Sequence, residues 1–446
     1  MSKSINYEVK ESLQKSFDLD NIKLFCDLLI SDCIFEDIPK KIEHKIASEY
    51  DIRSDEEQKI GFNAFELGTF FKKNGIIIHL HTEKSINAKV KHNSYIGKII
   101  KASYQYSSAI VITTSDDDPQ YRFSLVQLHY SKDNVTLTST KRYSYVFGPD
   151  AKVHTPLNHL FKINVKESKP NPVTNEKELL ERFSLDIVNK EFYENIQKMF
   201  IELVGGKTKN DAFKSMLRLP VSDKNSKEKE QINKEFAIRL IGRLIFCWFL
   251  KQKKSNDGNS YTLIGDAVLS SKAVEQYSNY YSTIIEPLFF EVLNKPYSER
   301  EVSDYQKDLF KIPYLNGGLF EPREHDYYSN SVENYVPDKW FLELFDFFDQ
   351  YHFTIDENSS VDVEVSIDPE MLGTIFENLL GEINPETQEQ AKKATGSFYT
   401  PRKIVDFMVD ESLKQYLHTK TNISLDKLHA LISYNLEDDK ENEFTN

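Results

Sequence analysis

Residues 64–81 read AFELGTFFKKNGIIIHLH. Two runs rich in β-branched and aromatic residues are broken at Asn74-Gly75, and this pattern predicts two successive strands. The same texture continues downstream in SAIVITT (108–114), RFSLVQLHY (122–130) and VTLTST (135–140). Asp116–Asp118 ahead of Pro119, and Lys132-Asp133-Asn134, break these runs as turn residues do. Residues 86–103 have helical spacing between the second and third runs. Upstream, residues 6–60 read as helices, with Ile22, Leu24, Phe25, Leu28, Leu29 and then Ile46 as the apolar positions. The expectation is a small mixed α/β domain over residues 1–166.

ESKPNPVTNEKE (167–178) has the Pro, Asn and charge content of a linker. Beyond it, helical periodicity dominates, with helices predicted over 178–204, 229–253, 270–293, 338–350, 367–380 and 401–417. The fold class is therefore α/β plus all-α. A helical domain over 179–394 separates the sheet domain from a final segment, 395–446.

Composition narrows the function classes. The apolar fraction of 39% and aromatic content of 13% belong to globular domains. Cys26, Cys33 and Cys247 are too few for a disulfide framework and form no zinc knuckle, so a cytoplasmic setting is expected. The strongest apolar run, Phe236 to Leu250, is shorter than a membrane span and carries Arg239 and Arg243. The formal net charge of −14 argues against broad nonspecific DNA affinity, which depends on phosphate neutralisation. A local basic face could still contact DNA. Lys72, Lys73, Lys84, Lys89, Lys91, Lys98 and Lys101 stand against only Glu83 in this stretch. A solvated surface reads equally well from the same charges.

The most specific motif is TGSFYTPRKIVDFMV (395–409). Thr400 is a good N-cap and Pro401 fits the first helical position, where its missing N–H costs nothing. Ile404, Val405, Met408 and Val409 then share an apolar helix face. The whole string resembles the segment that opens the methyltransferase domain of N6-adenine DNA methyltransferases. By that resemblance, Phe398, Tyr399, Thr400 and Pro401 would line an S-adenosylmethionine site. Three upstream blocks resemble the helical spacer of single-chain type IIG restriction–modification enzymes. They are DPEMLGTIFENLL (368–380), the helix RLIGRLIF (239–246) with Phe249-Leu250, and the loop IPYLNGGLF (312–320).

The resemblance implies the front part of a DNA adenine methyltransferase of a restriction–modification system. That activity also needs a glycine-rich strand–turn motif and an Asn/Asp-Pro-Pro-aromatic tetrapeptide, which orients the flipped base. Neither occurs in these 446 residues. The expectation is that the chain alone does not methylate, and that S-adenosylmethionine belongs to a complete parent. The rest of the methyltransferase could also come from a separate chain. The alternative is a stand-alone noncatalytic module that binds DNA or a partner.

Front domains in that family are often nucleases of the PD-(D/E)xK kind, using Mg²⁺. Here the strand expected to carry E-x-K reads Ile76 to His81. Glu66 and Glu83 are available carboxylates and Lys84 a cation, yet Glu83-Lys84 lacks the intervening residue that would put both on one face. A degenerate nuclease-like scaffold is the expectation. His79 and His81 lack a third ligand at sensible spacing, and they read as outward-facing side chains on a half-buried strand.

Overall fold

The hairpin of residues 64–81 lies at the heart of a seven-stranded sheet in the computed structural model. The structure describes residues 2–42, 62–82, 86, 96–97, 99–100, 106–130, 137–162, 171–207, 211–221, 224–252, 262–300, 309, 311–315, 318–326, 335–354, 362–367, 371, 373, 375 and 402–432. The chain divides into two compact units. The first comprises 1–184, 358–365 and 399–446, and the second 185–357 and 366–398.

In the first unit, helices α1 (Ser2–Leu13) and α2 (Leu19–Leu29) precede the sheet. Its strands are β1 (Ile34–Lys41), β2 (Phe62–Phe70), β3 (Gly75–Thr82), β4 (Ser108–Ser115), β5 (Tyr121–Tyr130), β6 (Leu137–Phe147) and β7 (Asp362–Glu364). They lie in sequence order across the sheet. Neighbours are antiparallel except for two parallel pairs, β3 with β4 and β6 with β7. β1 corrects the helical reading of residues 6–60. It is an edge strand whose Ile38 is 77% exposed. Half of a strand must be buried for alternation to appear in sequence, and here it is not.

The two sheet faces differ in chemistry. One face carries Ala64, Ile76, Ile78, Leu80, Ala109, Val111 and Val126 under Ile96, Ile99 and Ile100. The described positions 96–97 and 99–100 are helical, as the spacing predicts for the crossover. The other face is aromatic. Phe25 of α2 meets Phe147 and Phe161 at 5.8 and 5.7 Å, and Phe123 stacks on Phe147 at 5.6 Å. Phe183 lies 5.4 Å from Tyr145, whose hydroxyl donates to the Arg182 carbonyl at 2.9 Å.

The hairpin tip is strained. Phe71, Lys72 and Lys73 have φ of 49°, 52° and 73°, left-handed values that cost L-residues energy. Asp32 offsets this cost, because its two carboxylate oxygens accept the N–H groups of Phe71 and Lys72, each at 2.9 Å.

β7 joins the sheet only after residues 185–357 of the second unit have intervened in the chain. Ser144 pairs with Glu364 in register, and Arg122 meets Glu364 at 2.6 Å, both side chains buried. Ser124 and Ser144 share a hydrogen bond of 3.0 Å on the same face.

The second unit is helical. It contains α4 (Leu185–Val204), α5 (Ser226–Gln252), α6 (Ser271–Gln276), α7 (280–293) and α8 (Asp338–Phe348), while α3 (Glu176–Arg182) lies at the end of the first stretch, 1–184, of the first unit. α5 is buried around its circumference from Phe236 to Phe249, as its apolar run, interrupted only by Arg239 and Arg243, predicts. Trp248 packs on Phe345 and Phe348 at 5.4 and 5.2 Å. Phe192 meets Phe347, Tyr351 and Phe353 within 5.7 Å. The predicted helix 270–293 is broken at 277–279. Asp338 receives the N–H groups of Asn279 and Tyr280, at 3.1 and 2.8 Å, and so caps α7 from another helix. Beyond these elements lie α9 (Arg402–Thr421) and α10 (Leu425–Ile432) of the first unit.

Candidate functional site

Ligands of open α/β sheets collect outside the carboxyl ends of parallel strands. At that end of β3 and β4 the structure gathers His79, His81, Thr114 and Asp116. The parallel register puts His81 beside Thr114. The Thr114 hydroxyl lies 2.9 Å from His79 Nε2 and 3.0 Å from His81 Nδ1. His81 Nε2 faces the Asp116 carboxylate at 3.3 Å.

A neutral His81 that turns its Nε2–H toward this carboxylate accepts from Thr114 at Nδ1, and Thr114 then accepts from His79 Nε2–H. Phe17 stacks on the His79 ring at 4.4 Å and meets Tyr121 edge-on at 5.9 Å. The Tyr121 hydroxyl is buried and has no hydrogen-bond partner among the described residues. The two histidines are the less buried positions of β3, as the sequence reading has them, with His79 covered by Phe17 and the His81 side chain 34% exposed. Thr114 and Asp116 were invisible as partners because the next strand supplies them.

Burial, with the neighbouring His81 second, lowers the His79 pKa from 6.5 to about 4. The unfolded chain thus holds this proton more tightly than the folded one. Stability is complete above pH 6.5 and falls as the pH drops toward about 4. The expected loss is about 3 kcal/mol at most. A denaturation series across this range should show it, and His79→Gln should flatten the slope. An unchanged slope in that variant would assign the acid sensitivity elsewhere.

Glu66 lies on the opposite face, beside Ile78 in register and across from Lys40. Burial raises its pKa, Lys40 lowers it and Glu36 raises it again. Glu66 is therefore not brought together with the histidine relay. Glu83 and Lys84 lie outside the described residues, as do Lys89, Lys91, Lys98 and Lys101. Lys72 and Lys73 are exposed at the strained hairpin tip. Phe398, Tyr399, Thr400 and Pro401 also lie outside the described residues. Among those described, no three His, Cys, Asp or Glu side chains are grouped to hold a metal ion. No described helix is long and apolar enough to cross a membrane.

In the second unit, two of the sequence blocks meet. Arg239 and Arg243, one turn apart on α5, converge on Asp326 at 2.5 and 2.9 Å. Arg243 also donates to the carbonyls of Leu319 and Glu321, at 2.8 and 3.0 Å. Its guanidinium lies over Phe290, 5.3 Å from the ring centroid. The arginines of RLIGRLIF thus hold the end of the Gly-Gly loop and the residues that follow it.

α9 has the opposite character. Phe407 is 64% exposed, Met408 and Val409 57% each, and Ile404, Val405, Leu413 and Tyr416 are exposed with them.

Comparison with known proteins gives a family match and a curated relative. A family described as "Domain of unknown function (DUF7814)" matches residues 174–346. The chain is 30% identical over 261 residues to "Putative type II restriction enzyme and methyltransferase RM.MjaORFECS2P" of Methanocaldococcus jannaschii. That match covers 51% of this chain and 19% of the relative, so the chain spans about a fifth of the relative's length. No solved structure matches. The similarity relates this chain to restriction–modification proteins.

Proposed function

We propose that the chain is the front part of a type IIG-like restriction–modification protein that methylates adenine N6 in DNA with S-adenosylmethionine. The observation that carries this reading is the exposed apolar length of α9, directly after TGSFYTP. A helix with Phe407, Met408 and Val409 in water is a helix made to be covered. In this reading the covering body is the methyltransferase core, which brings the glycine-rich and Asn-Pro-Pro-aromatic motifs and with them the cofactor and the flipped base. That core is supplied by further chain or by a separate subunit. Phe398, Tyr399, Thr400 and Pro401 would complete one side of the cofactor pocket. The work of the assembly is DNA modification in phage defence.

The sheet domain in this reading is a nuclease-like scaffold. His79-Leu80-His81 occupies the strand where E-x-K would hold Mg²⁺, and imidazoles are poor magnesium ligands. Lys72 and Lys73 at the hairpin tip would contact DNA phosphates.

Two measurements test the proposal. Calorimetry on the chain alone is expected to give no micromolar affinity for S-adenosylmethionine. Co-expression with a methyltransferase core bearing the two missing motifs is expected to give a complex that binds the cofactor, and Phe407→Asp should prevent its assembly. Tight cofactor binding by the chain alone, or a complex indifferent to Phe407→Asp, would overturn the assignment.

A further inference from the structure

Two imidazole nitrogens converge on one point at the carboxyl end of β3. His79 Nε2 lies 2.9 Å from the Thr114 hydroxyl, and His81 Nδ1 lies 3.0 Å from it. The far nitrogen of His81, Nε2, faces the Asp116 carboxylate at 3.3 Å. A carboxylate on the remote ring nitrogen is the arrangement that orients metal-ligating histidines and makes them more basic. The His79 ring is held in place, with Phe17 stacked on it at 4.4 Å and Phe65 at 6.1 Å.

Hydrogen bonding alone accounts for Thr114 and both histidines, but it leaves one enclosed group over. Phe17 also meets Tyr121 edge-on at 5.9 Å. Tyr121 is 1% exposed, and its hydroxyl has no hydrogen-bond partner among the described residues. A buried polar atom in that state calls for a water or an ion nearby. The cluster is open to solvent on its other side, since the side chains of His81 and Asp116 are 34% and 65% exposed.

The donors decide the cation. Magnesium takes oxygen ligands and demands an octahedron, which two imidazoles do not supply. Zinc, cobalt(II) and nickel(II) accept imidazole nitrogen, zinc at about 2.0–2.1 Å. Both nitrogens stand at hydrogen-bond distance from a shared hydroxyl, so closing on a metal asks for a movement of about 1 Å. No third His, Cys, Asp or Glu joins them among the described residues. The remaining positions fall to the Thr114 hydroxyl and water, which makes the site an open one with weaker affinity than a closed structural site.

We propose that His79 Nε2 and His81 Nδ1 bind one divalent transition-metal ion of the zinc class, with Asp116 orienting His81 and the Thr114 hydroxyl and water completing the shell. On binding, the His79 proton moves from Nε2 to Nδ1 through solvent. The site goes beyond the methyltransferase reading and does not depend on it.

Calorimetry with Zn²⁺ and visible absorption with Co²⁺, both on the whole chain, test this. One equivalent of Zn²⁺ should bind with micromolar affinity, and it should bleach the bands of bound Co²⁺. His79→Gln and His81→Gln should each abolish binding, while His154→Gln should leave it intact. Asp116→Asn should weaken it about 10–100-fold, as loss of an orienting carboxylate does. Magnesium in large excess should not displace the ion. Should the histidine variants fail to fold, the wild type still answers, because bound zinc must protect His81 from diethylpyrocarbonate, read by mass spectrometry. No zinc binding up to millimolar concentration, binding that survives His81→Gln, or bound zinc that leaves His81 reactive would each overturn the proposal.

Discussion

Asp326→Ala is expected to cost the helical unit about 3–5 kcal/mol, because it leaves two arginines facing a buried gap. Arg239 and Arg243 approach Asp326 within 2.9 Å, and the aspartate is 1% exposed. A buried ion network contributes little when compared with a well-packed apolar substitute, but removing one partner alone exposes the full desolvation cost of the others. The damage should extend beyond the charges. Asp326 also receives the Arg323 N–H at 3.2 Å, and its own carbonyl accepts from Tyr281. Urea unfolding monitored at Trp248 and Trp340 reads this unit, since both tryptophans lie in it. Asp326→Asn should recover part of the loss by keeping the acceptor oxygen. An unfolding free energy within about 1 kcal/mol of wild type for Asp326→Ala, on the order of a surface substitution, would show that the network is dispensable.

Glu364→Ala is expected to have a comparable effect in the sheet unit, about 3–5 kcal/mol, by abandoning Arg122 in the interior. Its signature should be local first. β7 is three residues long and is held by few backbone bonds, among them Val365 N–H to the Ser144 carbonyl at 2.8 Å. Without the ion pair this strand should open before the rest, so β6 amides facing β7 should lose exchange protection while β3 and β4 keep theirs. Uniform loss across the sheet would mean that the pair stabilises the whole unit and not the strand. The double variant Arg122→Met with Glu364→Leu should recover most of the stability, because it removes both charges together.

How much of this could be read in the sequence depends on how local each signal is. The hairpin 64–81 was legible because Asn74-Gly75 and two strand-like runs coincide within one short stretch. α5 was legible because its apolar run has no competing period. The break at 277–279 was missed because the cap that starts α7 belongs to Asp338, far along the chain. β1 was missed because both of its faces are largely exposed, and β7 because three residues carry no period. The histidines were seen but their partners were not, since Thr114 and Asp116 come from the end of the neighbouring parallel strand. The convergence of Arg239 and Arg243 was equally hidden. One helical turn apart, they look like any basic stripe until the loop that bears Asp326 folds back. The resemblance at 395–409 speaks to identity, and it could not predict that α9 would stand with its apolar side chains in solvent.

The late arrival of β7 has a consequence for biogenesis. A ribosome adds about 5–20 residues per second, so the complement of Ser144 emerges on the order of ten seconds or more after Ser144 itself. Throughout that interval the nascent sheet carries an open β6 edge and lacks the carboxylate that Arg122 meets in the finished fold, while the helical unit is still being made. The sheet is therefore a natural client for holding factors during translation. Slow codons between the two units would lengthen its exposure, and a truncation before Asp362 would leave it aggregation-prone even with every earlier strand intact.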